Sequence, residues 1–94
     1  MIEAIKMDWK EAESHVQKHF EDEGYVVLNQ NDIGFPDLIA FKDGKIAFFV
    51  QVKARQNPFI FYFEGQCAES LKKKLDVEVK YINVKDGKLE PYFK

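Results

Sequence analysis

Four side chains in this sequence combine a type and a position that could do chemistry: Glu13, Asp37, Gln51 and Lys53. Glu13 falls within or beside the apolar stripe of a helix, where a carboxylate is costly unless it is paired, protonated or bound to a metal. The bland alternative puts it at the stripe's edge, with its stem on apolar surface and its carboxylate in water. Asp37 follows Pro36 and opens a strand. Gln51 and Lys53 end an otherwise apolar strand, and period two puts both on one face with Phe49. A buried strand ending in two polar side chains on one face reads as a site at the strand's edge. Carboxylates and an amide oxygen suit a hard cation, and a lysine beside them can meet an anion. His15 and His19 have the spacing of a zinc pair, but without a third His or a Cys cluster they read as solvated or boundary histidines. Cys67 lacks a nucleophile's context and reads as a helix residue near the interior.

The elements that must position these residues follow from pattern. Residues 8–23 read as an amphipathic helix, with Asp8 as cap, Glu11 at capping-box spacing, and Trp9, Ala12, Val16 and Phe20 on one stripe. Gly24 stops it. Tyr25 to Asn29 reads as a strand, and Asn31, Asp32, Gly34 and Pro36 as a loop. Asp43–Gly44 between Leu38–Phe41 and Ile46–Val52 predicts a tight antiparallel hairpin. The run from Ile46 to Ala54 is apolar until its end, the pattern of a strand covered on both faces. Phe59 to Phe63 carries no charge and is expected to pack as core or as a subunit interface. A second helix is expected over Glu64 to Leu75, with Ala68, Leu71 and Leu75 inward and its lysines outward. Val77 to Val84 alternates as a strand, Asp86–Gly87 turns the chain, and Leu89 to Phe93 closes it. The order is α-β-β-β-α-β-β, an α/β mixed sheet with a helix on each face.

Composition bounds the rest. A chain of 94 residues, 46% hydrophobic and 32% charged, fits one domain over 1–94. The net charge of −2 excludes a binder of nucleic acid by overall basicity. Residues 1–24 hold three Lys against seven acids, a balance of −4, which leaves +2 for the other seventy. Any surface for a polyanion therefore lies around Lys53, Arg55 and the run Lys72, Lys73 and Lys74, although such a run is commonly a solvated helix face. One cysteine and the lack of a signal or spanning segment point to a cytoplasmic protein with no membrane partner.

With these residues in view, Gly34-Phe35-Pro36-Asp37, the hairpin, and Gln51-Val52-Lys53, with thirteen residues between Asp37 and Gln51, resemble the PD-(D/E)XK nuclease superfamily. The likeness spans nearly the whole chain. It is closest to archaeal Holliday junction resolvases and compact VRR-type nucleases, which also carry a helix Glu, a Gly-x-Pro-Asp and a Lys-Ala ending the third strand. The resemblance implies a restriction-endonuclease-like αβββαβ core, with a central mixed sheet flanked by helices. It further implies a DNA endonuclease dependent on Mg²⁺ or Mn²⁺, acting on branched DNA as a homodimer in recombination or repair.

By the same resemblance Asp37 would be the principal metal ligand, joined by Glu13, Gln51 and the Val52 backbone carbonyl. Lys53 would orient water or offset charge on the phosphate. Gln66 resembles a Gln that some members place near the site, and Arg55 and Lys72 to Lys74 would meet DNA. Gln51 departs from the usual Asp or Glu. Its carbonyl oxygen can ligate a hard cation, but it brings no charge and cannot act as a base. Weaker metal binding, a preference for Mn²⁺ and one metal rather than two are expected. A different class of function, a nuclease-fold DNA-binding or interaction module without catalysis, is motivated by Gln51 and the acidic overall charge.

Overall fold

Ala12, Val16 and Phe20, at helical spacing, are all buried and fasten helix α1 (Trp9–Asp22) to the sheet. The computed structural model describes residues 9–30 and 36–92. The expected cap at Asp8, the loop residues Asn31, Asp32, Gly34 and Phe35, the side chain of Trp9 and the chain end at Phe93 lie outside the described residues. Helix α1 stops as expected at Gly24, whose φ of 102° suits glycine. Tyr25 N–H donates to Phe20 O and Gly24 N–H to Glu21 O, the two bonds of a Schellman close.

Strands β1 (Val26–Asn29), β2 (Leu38–Lys42), β3 (Lys45–Lys53), β4 (Val79–Lys85) and β5 (Lys88–Pro91) form one sheet in chain order. Only β3 and β4 are parallel, because helix α2 (Tyr62–Leu75) carries the chain back between them. Both Asp-Gly pairs, 43–44 and 86–87, have positive φ at each residue, as a two-residue hairpin turn requires. The α/β mixed sheet with two helices is thus as the pattern predicts. Helix α1 covers a face built from Val27, Leu38, Ala40, Phe48, Val50, Val52 and Val84. Phe20, Tyr25 and Phe48 meet edge to face at its centre, with Phe48 5.0 Å from each of the other two rings.

Three expectations need correction. Strand β3 is covered only from Phe48 onward, because a bulge opposite Ala40 and Phe41 puts Lys45 to Ala47 out at the exposed hairpin end. Helix α2 begins at Tyr62 rather than Glu64, and it stands further from the sheet than α1 does. As a result Leu75 and Cys67 are exposed, not interior, and Glu64 is the one buried residue of α2. Phe59 to Phe63 spans the end of the connection and the start of α2, with Phe59, Tyr62 and Phe63 exposed, which overturns the core packing expected as one of its two roles. Among the described residues no helix is long and apolar enough to cross a membrane.

Candidate functional site

The site forms where β2 begins and β3 runs on past it. Leu38 is the last β2 residue paired with β3, opposite Val50. Asp37 comes just before it and continues the pairing by other means: its N–H donates to Val50 O at 3.1 Å, and its Oδ2 accepts the Val52 N–H at 2.9 Å. Within a strand the N–H and C=O of one residue point to the same side. The Val52 carbonyl therefore faces the same open edge as its N–H, beyond the start of β2. Period two puts Asp37, Gln51 and Lys53 on the face opposite the α1 core.

Glu13 reaches this edge from α1. It is 5% exposed, so the alternative in which its carboxylate snorkels to water does not hold. Burial, the nearby Asp37 charge and a hydrogen bond shared with Asp37 raise its pKa to about 7, against a smaller opposing effect of a hydrogen bond from Asn29. Burial also raises the Asp37 pKa, offset in part by the Val52 N–H and the Lys53 charge. In this pair the proton belongs to Glu13, since the shared bond favours ionised Asp37 and protonated Glu13. Two carboxyl groups holding roughly one proton near neutral pH form a site short of positive charge.

The surrounding oxygens sharpen that shortage. Among the described residues Gln51 Oε1 and Asn29 Oδ1 are buried and find no donor. An unpaired buried acceptor costs about 1–3 kcal/mol. The Gln51 oxygen, on the face it shares with Asp37, joins the two carboxyl groups in a set of oxygen acceptors that would suit a hard cation. Among the described residues no three His, Cys, Asp or Glu side chains cluster as a metal site. Here only two of the candidate ligands are carboxylates, and the others are amide and main-chain oxygens. No protein family and no curated protein matches this chain.

Lys53 completes the group and brings in a residue that the sequence reading passed over. Its Nζ donates to Glu64 Oε2 at 2.9 Å, with both residues buried, and lies 4.2 Å from the centre of the Phe61 ring. The other Glu64 oxygen accepts the Phe61 N–H at 3.0 Å, closing the first turn of α2. Glu64 supplies the negative charge that Gln51 lacks, but supplies it to Lys53. A sequence signal existed: Glu64 is the first charge after Arg55, three residues beyond a helix-entry position.

The remaining candidates are scattered. Arg55 is exposed, and Asn83, 1% exposed, grips its main chain on both sides: Arg55 N–H donates to Asn83 Oδ1 and Asn83 Nδ2 donates to Arg55 O, each at 2.9 Å. Gln66 is exposed and donates to the Tyr62 hydroxyl at 2.9 Å. Lys72, Lys73 and Lys74 occupy the last turn of α2. Lys72 lies beside Ala47 and Phe48, at the end of β3 remote from Lys53, and is paired with Asp76. His15 is exposed, and His19 Nε2 lies 3.3 Å from Glu23 on the outside of α1.

Proposed function

We propose that this protein is a metal-dependent DNA endonuclease with a restriction-endonuclease-like core. The observation that carries the reading is the Glu13–Asp37 pair, which shares a proton at the start of β2, beside the donorless Gln51 oxygen and the Lys53 ammonium. Glu13, Asp37, Gln51 Oε1 and the Val52 carbonyl would hold the Mg²⁺ or Mn²⁺, which when bound supplies an activated water and draws charge off the phosphate. Glu13 would have to give up its proton to serve as a ligand, which would link occupancy of the site to pH. Asp37 is kept in place by the Val52 N–H, which leaves its second oxygen for the site. Lys53, fixed between Glu64 and the Phe61 ring, sets a positive charge within reach of Asp37 and offsets charge that builds on a bound phosphate.

Cutting a branched junction would need two opposed sites, as a twofold dimer supplies. The apolar side of α2 left open at Leu71 and Leu75 is the surface such a homodimer would bury. Sedimentation at micromolar concentration tests this, and a monomer would restrict the activity to simpler DNA.

A second reading, a nuclease-fold binding or interaction module without catalysis, is favoured by one observation: the Lys53 ammonium is already neutralised by Glu64. The deciding experiment incubates the protein with branched, nicked, duplex and single-stranded DNA in Mg²⁺ and in Mn²⁺. Cutting that needs the cation and is abolished by Asp37→Ala or Lys53→Ala carries the endonuclease. Binding without cutting carries the module, and the absence of both sinks the two readings together.

A further inference from the structure

Beside the site runs a row of three rings. Phe59 meets Phe61 edge to face with centroids 4.7 Å apart, and Phe61 lies nearly parallel to Phe63 at 5.9 Å. Phe59 is 45% and Phe63 58% exposed, which is unusual for Phe in a chain with core positions to fill. The row joins the site directly, because its middle ring lies under the Lys53 ammonium. At its outer end the Arg55 guanidinium lies 5.3 Å from the Phe59 centroid and 5.5 Å from that of Phe61. Among the described residues Arg55 has no carboxylate partner, and Asn83 fixes its main chain. The arrangement is an exposed cation, its main chain held by a buried clamp, against two exposed rings and a half-buried one between them.

We propose that Arg55 and the Phe59–Phe61–Phe63 row form a stacking ledge for unpaired nucleobases, so that the strand entering the site is single-stranded or splayed and not continuous duplex. The proposal rests on the nuclease reading for what happens at the site, and it names the form of the substrate. Duplex binding is driven mainly by many cationic contacts to phosphate. Few exposed cations stand near this site: Arg55 lies against the rings, Lys10 acts on Glu13 and Lys74 reaches the groove beside Pro36 and Phe63, while Lys72 lies at the far end of β3 and the chain is acidic overall. Exposed rings supply what cations here do not: every base has a face that stacks on an aromatic side chain, whatever its identity, and an arginine beside the ring meets the adjoining phosphate. Duplex DNA buries those faces and cannot use the ledge.

The test is fluorescence anisotropy on the full chain with three labelled probes: oligothymidylate, the same backbone with abasic sites, and a blunt duplex. Cutting in Mn²⁺ is followed in parallel. Oligothymidylate is expected to bind about tenfold or more tightly than the duplex or the abasic strand, to weaken about tenfold in Phe59→Ala, and to recover in Phe59→Trp. Thermal melts confirm that each variant is folded. Equal binding of the abasic strand, preference for the duplex, or indifference to Phe59→Ala overturns the ledge. A shift from dimer to monomer in Phe59→Ala also overturns it, by assigning the rings to an interface between copies. Duplex cutting that ignores Phe59 would refute the ledge while leaving the nuclease standing. Phe59-dependent strand binding without any cutting would support the ledge and remove the catalytic reading.

Discussion

Lys53 and Glu64 form a buried ion pair at 2.9 Å that ties the end of β3 to the first turn of α2. Because Glu64 also accepts the Phe61 N–H, one side chain both neutralises the site lysine and starts the helix. Removing one partner leaves the other charge buried and alone, which costs about 3–5 kcal/mol. Glu64→Ala should therefore lower the urea midpoint markedly. Replacing both residues, as Lys53→Met with Glu64→Leu, should restore most of that stability without restoring DNA cutting. If the double variant is as unstable as Glu64→Ala, the pair is not what holds α2.

The proton on Glu13 makes stability depend on pH with a definite sign. Its pKa rises from 4.5 to about 7 in the folded state, so between these values the native chain binds more protons than the unfolded one. Stability then falls as pH rises through this window, by an amount on the order of 2–3 kcal/mol. Glu13→Gln keeps the shape and removes the titration. Melting temperatures from pH 4.5 to 8 should flatten in the variant relative to the parent, and parallel curves would refute the assignment.

Gln51 gives a prediction about cations. A third carboxylate in Gln51→Glu has no donor to meet it, so without divalent cation the variant should be less stable than the parent above pH 7, by about 1–3 kcal/mol. Added Mg²⁺ or Mn²⁺ should raise the melting temperature of the variant more than that of the parent, because a ligand bound only by the folded state stabilises it by mass action. Equal responses would mean that Gln51 does not face the cation.

The parts of the site readable in advance were those set by local rules. Period two along β3 puts Gln51 and Lys53 together, the Asp-Gly turn sets β2 against β3, and helical spacing brings Glu13 toward the core side. Spacing marks Glu64 as a helix-start residue, but its pairing with Lys53, like the contact of Asn29 with Glu13, depends on how α2 and α1 sit on the sheet, which no local pattern encodes. The same cause misplaced Cys67 and Leu75. An inward-facing stripe predicts burial only if the helix docks closely, and α2 does not. Phe59 to Phe63 misled for a related reason: an uncharged aromatic run implies contact with something, and pattern cannot say whether that partner is the core.

Asn83 supports the last prediction, because it accepts from and donates to the main chain of Arg55 while almost wholly buried. Asn83→Asp keeps the acceptor for Arg55 N–H but sets a carboxylate oxygen against the Arg55 carbonyl. That repulsion disappears when the new acid is protonated and can donate. The stability difference between variant and parent should therefore be largest at neutral pH, about 2–3 kcal/mol, and shrink as pH falls through the raised pKa of the new acid. Taking the difference cancels the Glu13 titration common to both proteins. Asn83→Ala, which loses both bonds at any pH, should show a penalty that does not vary with pH. If both variants instead lose stability in parallel at every pH, the side chain acts by filling space and not by gripping Arg55.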